Sequence, residues 1–331
     1  MNNTTNVPKV SVIVPIYKVE KYIEKCAVHL LEQTIDSIEI IFIDDCGQDK
    51  SMDILLDTIE RYPQRKDSVR VIRNEKNIGL VANRQKGIRL ATGEYITHCD
   101  SDDWVDKNLY ESLYNKAKKT NSDVAVCPFI WEITDSSVRM PLPQLPNTCQ
   151  ELLKNWYRIC CGMNHCNKIV KRSIVAEHDL VPYDNTGAWE DASFMFRAFY
   201  YMGGLTQIDN AFYHYNRTNI NATTFTVSRV GVDRLINAAT LLTEFFNNVP
   251  NKEDYMKTCH AIQYIAKLDL IDTHFDWLKD FHHIFHESDY IKHELSRNAF
   301  SNRGYFRFWF VKHHLAWLFV LMYKTYSSIK K

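Results

Sequence analysis

Short apolar runs alternate with longer amphipathic segments over the first 127 residues of the chain. Each run is only four to six residues long and rich in β-branched residues, as is typical of strands buried inside a sheet. The runs lie at residues 10–14, 39–43, 69–72, 94–99 and 123–127.

The segments between these runs carry apolar residues at a spacing of three to four, which predicts helices. The apolar stripes begin at Tyr22, Met52, Leu80 and Leu109, and the third ends at Gly93, where we expect a C-cap glycine. Strands alternating with helices indicate right-handed βαβ units. The predicted fold class is therefore α/β, with a mostly parallel sheet covered by helices on both faces.

The remainder of the chain follows a different pattern. Residues 131–150 contain Pro141, Pro143 and Pro146 and show little periodicity, which predicts a loop or linker. Residues 192–202 read as an aromatic-rich helix that ends before two glycines, and from about residue 228 onward the pattern is helical.

Composition narrows the class of protein. The 331 residues are 45% hydrophobic and 24% charged, as in ordinary globular proteins, which excludes a disordered chain. Forty basic and forty acidic residues argue against a general nucleic-acid binder. The charge is uneven, however, because residues 291–331 hold eight Lys and Arg but only one acid, Glu294.

The cysteines and the apolar runs bear on location. Nine cysteines without a CxxC pair favour buried free thiols in a reducing compartment, and no second ligand pair supports a zinc site at residues 160–166. The N-terminus has no apolar signal region, and the longest apolar run, 315–323, has nine residues, about half of a membrane span. We expect a cytoplasmic protein that at most lies peripherally on the inner face of the cell membrane.

Five carboxylates follow the predicted strands. Asp44 and Asp45 end the second run, and Asp100, Asp102 and Asp103 follow the fourth. Ligands of open parallel sheets bind at this edge, and clustered carboxylates there suit a hard divalent cation that bridges to a phosphate. Asp103 could instead cap the next helix. Because neither a GxGxxG nor a P-loop motif is present, we expect a metal to mediate diphosphate recognition.

Four segments in sequence order resemble glycosyltransferase family 2, which has the GT-A fold. They lie at residues 12–17, 43–45, 77–95 and 100–104 (VIVPIY, IDD, NIGLVANRQKGIRLATGEY and DSDDW), and WEDASFMFR at 189–197 resembles a later family motif. The resemblance covers roughly residues 8–220. It implies a Rossmann-like, mostly parallel sheet flanked by helices and followed by a helical C-terminal region.

The resemblance implies a nucleotide-sugar site. Pro15 and Tyr17 would shape a uridine pocket, with Asp45 bonded to the nucleobase and Asp44 beside it. Arg84 matches a basic residue that faces the nucleotide.

The metal and the base are implied in the same way. Asp100 and Asp102 match the DxD motif that holds Mn²⁺ or Mg²⁺ on the donor diphosphate, so Asp100 also counts as a nucleotide-sugar contact. Asp191 matches the catalytic base of an inverting single displacement, although its position before Ala192 also suits a helix N-cap.

Further positions are less closely tied to the family pattern. Asp103, Trp104, Trp189 and Glu190 are candidate contacts to the sugar or the acceptor, with ordinary packing as the alternative for both tryptophans. The family usually has Asn where this chain has Lys18, and Gly-Ser where it has Cys46-Gly47. These departures bear on donor preference.

The resemblance also implies a division of the chain. Residues 1–225 would form the catalytic domain, with a nucleotide-sugar half at about 8–130 and an acceptor half at about 150–225. Residues 226–331 would form a helical region ending in a basic, aromatic tail. Such a tail suits an anionic membrane surface, while packing on the body or an oligomer interface are alternatives.

The predicted function is that of an inverting glycosyltransferase. It would move a hexose or N-acetylhexosamine from a nucleotide sugar, UDP-linked by preference, to a hydroxyl of a glycan or lipid-linked oligosaccharide in surface polysaccharide synthesis. A metal-dependent nucleotidyl or phosphoryl transferase would also use clustered carboxylates, and a catalytically silent sugar-nucleotide-binding protein is the third alternative.

Overall fold

The computed structural model describes residues 7–219, 228–271, 277–297 and 302–329. Their contacts divide the chain into two compact units. The first consists of the chain up to Cys149 together with Met163–Asp184 and Ala198–Asn221. The second consists of Gln150–Gly162, Asn185–Arg197 and the residues from Ala222 onward.

The first unit contains a seven-stranded and a four-stranded sheet. Their strands are β1 (Val10–Ile16), β2 (Ile38–Asp44), β3 (Val69–Arg73), β4 (Tyr95–His98), β5 (Trp104–Val105), β6 (Val124–Val126), β7 (Phe129–Ile133), β8 (Ser136–Arg139), β9 (Lys168–Lys171), β10 (Leu205–Gln207) and β11 (Tyr213–Asn216). The larger sheet has the order β10-β6-β9-β4-β1-β2-β3, and the smaller one β5-β11-β7-β8. In the larger sheet β9 is antiparallel to both neighbours, and the other pairs are parallel.

Helices make up most of the remaining regular structure. They are α1 (Ile23–Leu31), α2 (Ser51–Glu60), α3 (Leu80–Leu90), α4 (Leu109–Thr120), α5 (Cys149–Lys154), α6 (Trp156–Ile159), α7 (Arg172–Glu177), α8 (Glu190–Tyr201), α9 (Arg229–Asn247), α10 (Met256–Leu268), α11 (Trp277–His283), α12 (Asn302–Lys312) and α13 (Ala316–Ile329).

The predicted α/β class with a mostly parallel sheet is confirmed. All seven residues of β1 are buried, because helices cover both faces of the sheet. On one face Val12 and Val14 belong to the same core cluster as Cys26 and Leu30 of α1. On the other face Ile13 lies under α3.

Two glycines of the family-like segment allow close packing. A Cβ atom at Gly87 of α3 would lie 2.2 Å from Cγ2 of Ile13, and one at Gly93 would lie 2.7 Å from the backbone nitrogen of Ser11. The expected C-cap role of Gly93 is wrong, because α3 ends at Leu90 and its C-cap is Ala91 in an extended conformation.

The prediction of a loop over residues 131–150 is wrong in part. The end of β7 and the whole of β8 form an antiparallel hairpin there. All four residues of β8 are exposed. Because neither face of the strand is buried, neither needs to be apolar, and no alternation of apolar and polar residues marks β8 in the sequence.

The second unit is helical, and its longest described helices are α9, with 19 residues, and α13, with 14. Within the described ranges, none of the helices is long and apolar enough to cross a membrane. Residues 150–162 and 185–197 cluster with this unit. The functional division at residue 225, and that into donor and acceptor halves, stays a prediction.

Candidate functional site

The strand order of the larger sheet brings three predicted segments to one edge. Strands β4, β1 and β2 are parallel neighbours, so their carboxyl ends lie side by side. Asp100 follows β4, Tyr17 follows β1, and Asp44 ends β2. This is the edge where open α/β sheets bind ligands.

Arg84 joins the first aspartate of the DxD motif. Its side chain is buried on α3, and Nη2 donates a 2.8 Å hydrogen bond to Oδ1 of Asp100, whose own side chain remains 29% exposed. Nη1 lies 3.4 Å from Nδ1 of His165. Burial and the nearby guanidinium lower the pKa of His165, so the neutral imidazole can accept a hydrogen bond from Arg84.

Asp102 lies in a less favourable environment for a carboxylate. Burial and the neighbouring charge of Asp100 raise its pKa above the usual value. A hydrogen bond of 2.7 Å from Nδ2 of Asn219 to Oδ2 of Asp102 acts in the opposite direction. A bound cation would favour the ionised form further.

Asp103 anchors the DxD loop to β11. It is almost fully buried and accepts hydrogen bonds of 2.7 Å from the hydroxyl of Tyr213 and from the backbone nitrogen of Asn216. Burial and the charges of Asp100 and Asp102 raise its pKa well above the usual value. The alternative that it caps the next helix is wrong, because α4 starts at Leu109 after Asn108.

These contacts identify three residues that the sequence analysis missed, namely Tyr213, Asn216 and Asn219. The Tyr213 hydroxyl also accepts a 3.0 Å hydrogen bond from the backbone nitrogen of Asp100. A short aromatic alternation followed by a polar stretch was the available signal, but it does not reveal which strand β11 would pair with.

The two aspartates at the carboxyl end of β2, Asp44 and Asp45, have different hydrogen-bond partners. Asp45 is buried, and its carboxylate accepts hydrogen bonds from the side chain of Asn74 and from the backbone nitrogens of Ile78 and Gly79. In Asp44, Oδ1 accepts from the nitrogen of Cys46, whereas Oδ2 lies 4.0 Å from Nε of Arg73, beyond hydrogen-bond distance.

Through these hydrogen bonds, Asp45 holds the loop that precedes α3. Asp44 is the more accessible of the two, because 13% of its side chain is exposed, whereas Asp45 is 3% exposed. The roles of both aspartates in base recognition stay predictions.

Tyr17 and its neighbours lie at the carboxyl edge of the larger sheet, where β1 ends. Pro15 is buried within β1 opposite Ile43, whereas Tyr17 is 44% exposed. Lys18 and Cys46 have φ angles of 54° and 59°, in the left-handed region. These are the two positions where the family usually has Asn and Gly, which adopt this conformation more easily.

Trp104 packs against protein groups. Its ring stacks on His214 with centroids 5.5 Å apart, and Nζ of Lys25 lies 3.0 Å from its centroid. His214 in turn contacts carboxylate oxygens of Glu132 at 2.7 Å and Asp106 at 3.0 Å. These contacts favour the packing alternative for Trp104.

The remaining candidates lie in the second unit. Trp189 ends a short 3₁₀ turn, and Glu190 and Asp191 form the first turn of α8, where acids complement the helix dipole. Oδ1 of Asp191 accepts a 2.6 Å hydrogen bond from the nitrogen of Ala192. The alternative that Asp191 is the N-cap is wrong, because α8 begins at Glu190 and Asp191 lies within its first turn. The role of Asp191 as base stays a prediction.

The donor set at the DxD motif suits a hard cation. Asp100 and Asp102 offer carboxylate oxygens, the ligands that Mg²⁺ and Mn²⁺ prefer, with substrate phosphates and water completing such sites. In the part of the chain that the structure describes, no three His, Cys, Asp or Glu side chains converge to hold a metal by themselves. The carboxylates of Asp100 and Asp102 fit a metal whose remaining ligands would be diphosphate and water oxygens.

Comparison with known proteins agrees with this geometry. The model of the family described as Glycosyl transferase family 2 matches residues 11–179, more than half of the chain. The chain belongs to glycosyltransferase family 2. A relative named as the putative glycosyltransferase EpsH of Bacillus subtilis (strain 168) is 33% identical over 216 residues, which are 63% of this chain and 60% of EpsH. The match thus spans less than two thirds of that relative.

Solved structures confirm the GT-A fold. TarS of S. aureus (residues 1–349) superposes with a TM-score of 0.63 at 17% identity, covering 97% of this chain and 91% of TarS. Its complex with UDP-GlcNAc gives a TM-score of 0.60 at 17% identity, covering 86% and 88%. The mannosyltransferase PcManGT from Pyrobaculum calidifontis, in complex with GDP-Man and Mn²⁺, gives 0.53 at 15% identity, covering 98% and 84%.

Proposed function

We propose that this family 2 protein is an inverting, metal-dependent glycosyltransferase with a UDP-linked donor. It transfers a hexose or N-acetylhexosamine to a hydroxyl of a glycan or lipid-linked oligosaccharide. The observation that carries the proposal is the placement of Asp100, Asp102 and Arg84 at the carboxyl edge of the sheet, next to Tyr17 and Asp44. The UDP-GlcNAc complex of TarS supports the choice of donor.

Each of these residues has a task in binding the donor. Asp100 and Asp102 would hold the cation, which acts as a Lewis acid on the departing diphosphate oxygens. Arg84 would hold the carboxylate of Asp100 in place through its hydrogen bond. We assign Tyr17, which is 44% exposed, and Oδ2 of Asp44 to the nucleobase.

Donor assays test this function. Transfer and hydrolysis should be measured with a panel of UDP- and GDP-sugars, with and without Mn²⁺. We expect sugar release or transfer from a UDP-sugar that is lost on chelation. Release of pyrophosphate would indicate a nucleotidyl transferase, and binding without turnover a silent sugar-nucleotide-binding protein; either result would refute the proposal.

Asp191 is proposed as the general base that deprotonates the acceptor hydroxyl. A single displacement needs one such carboxylate, and Asp191 → Asn removes its basicity while nearly preserving its shape. We expect a loss of transfer of about 10²-fold or more with donor affinity retained. Asp233→Asn, an exposed acid of α9, is the matched control. Full turnover of the Asp191 variant would exclude the base role.

The C-terminal helices present an exposed apolar surface to a proposed membrane partner. Phe308, Phe310 and Phe319 are buried, and their ring contacts (Phe308 with Tyr264, Phe310 with Phe319) show that part of the tail packs within its own unit. A second set of large apolar residues on α12 and α13 is exposed by 43–50%: Phe306, Trp309, Trp317, Leu321 and Met322. Aromatic residues in a segment with eight basic side chains suit the headgroup region of an anionic bilayer.

Co-sedimentation with vesicles tests the membrane proposal. We expect the full chain to pellet with anionic vesicles more than with neutral ones, and Trp309→Ala/Trp317→Ala to reduce this several-fold. Leu56→Ala/Val138→Ala removes exposed apolar groups of the first unit and should have no effect. Equal binding of both variants would show that α12 and α13 are not the docking surface.

A further inference from the structure

A hydrogen-bonded polar turn follows β11 and lies beside the DxD motif. The side-chain oxygen of Asn216 accepts hydrogen bonds from the nitrogen and the hydroxyl of Thr218, at 3.0 and 2.7 Å. Its side-chain nitrogen donates a 3.0 Å hydrogen bond to the carbonyl of Asp102. Because both ends of this amide are engaged, the orientation of Asn216 and the path of the turn are fixed.

The turn brings Asn219 to the second aspartate of the motif. Nδ2 of Asn219 donates a 2.7 Å hydrogen bond to Oδ2 of Asp102, and Asn219 itself is 8% exposed. Asp103, the next residue in the motif, is held by Tyr213 and by the backbone of Asn216. Two consecutive carboxylates of the loop are therefore held, Asp103 by β11 and Asp102 by the turn that follows it.

We propose that Asn219 is a positioning residue that holds the carboxylate of Asp102 in the orientation needed to bind the donor's cation. This inference rests on the proposed function, because it assumes that Asp102 is a metal ligand. A carboxylate ligand that is already oriented by a hydrogen bond loses less rotational freedom when the cation arrives. Removing such a partner of a ligand typically costs 10- to 100-fold in metal affinity or activity.

Manganese titration tests the inference without relying on turnover. Free Mn²⁺ is followed by electron paramagnetic resonance, in the absence and presence of UDP, for the wild-type chain, Asn219→Ala and Asp102→Asn. Asn248→Ala, an exposed amide at the end of α9, is the matched control. Thermal unfolding of each variant reports whether the fold is retained.

We expect Asn219→Ala to weaken Mn²⁺ binding about tenfold or more, with the melting temperature nearly unchanged, and Asn248→Ala to bind like the wild type. In the Asp102→Asn background, Asn219→Ala should cause no further loss. Binding by Asn219→Ala within twofold of the wild type, while Asp102→Asn binds poorly, would overturn the inference and leave the proposed metal site standing. Undiminished binding by Asp102→Asn would instead refute the metal site itself.

Discussion

Replacing Cys46 by glycine should stabilise the protein. The residue has a φ of 59°, and its backbone nitrogen donates to Asp44 at the proposed nucleobase edge. A left-handed conformation costs an L-residue roughly 1–2 kcal/mol, a cost that glycine does not have. The greater freedom of glycine in the unfolded chain offsets about 0.4–1 kcal/mol of this gain. We therefore expect a net stabilisation of about 0.5–1 kcal/mol.

Urea unfolding measures this difference through the transition midpoint at constant m-value. Cys46→Ala is the matched control, since it removes the thiol but keeps the backbone penalty. The alanine variant should be no more stable than the wild type, and the glycine variant more stable than both. If glycine were equal to or less stable than alanine at this position, the assignment of strain to the backbone would be refuted.

Three further substitutions test the packing and the strain. Lys18→Asn, at a φ of 54°, should stabilise by a few tenths to about 1 kcal/mol in the same assay. Gly87→Ala should destabilise by about 1–2 kcal/mol despite the better helix propensity, because its Cβ would meet buried Ile13; an increase in stability would contradict the close approach. Glu39→Gln should cost about 1–3 kcal/mol at pH 7. Burial alone would raise the pKa of Glu39, but its hydrogen bonds lower it, so the difference from the wild type should shrink as the pH falls below about 4. The donors of these hydrogen bonds to Glu39 are Ser11, Thr92 and Arg70. A pH-independent difference would argue against a charged Glu39.

The parallel part of the fold could be predicted because its signals are local. Each of β1 to β4 is a short apolar run of its own, and the helices between them show their period within a dozen residues. The positions of β9 and β11 could not be predicted, because strand pairing across 40 or more residues leaves no periodic trace. The exposed β8 lacks even the local pattern.

The site shows the same division. The acids at strand ends were visible in the sequence, because the carboxyl ends of parallel neighbours must meet at one edge. The side chains that hold these acids in place could not be identified from the sequence. Asn219 lies 117 positions after Asp102, and an uncharged amide has no distinctive pattern. The two unusual backbone conformations were visible only as departures from the family, at Lys18 and Cys46.

The antiparallel strand β9 has a consequence for how the chain folds during its synthesis. It separates β4 from β6, and β10 reaches the sheet only through β6. Strands β1 to β4 can associate once residue 98 has left the ribosome, whereas β6 must wait for Lys168–Lys171 before it joins them. The nascent chain therefore exposes an open edge at β4 while some seventy residues are translated. We expect chaperones that shield unpaired strands to act within this interval.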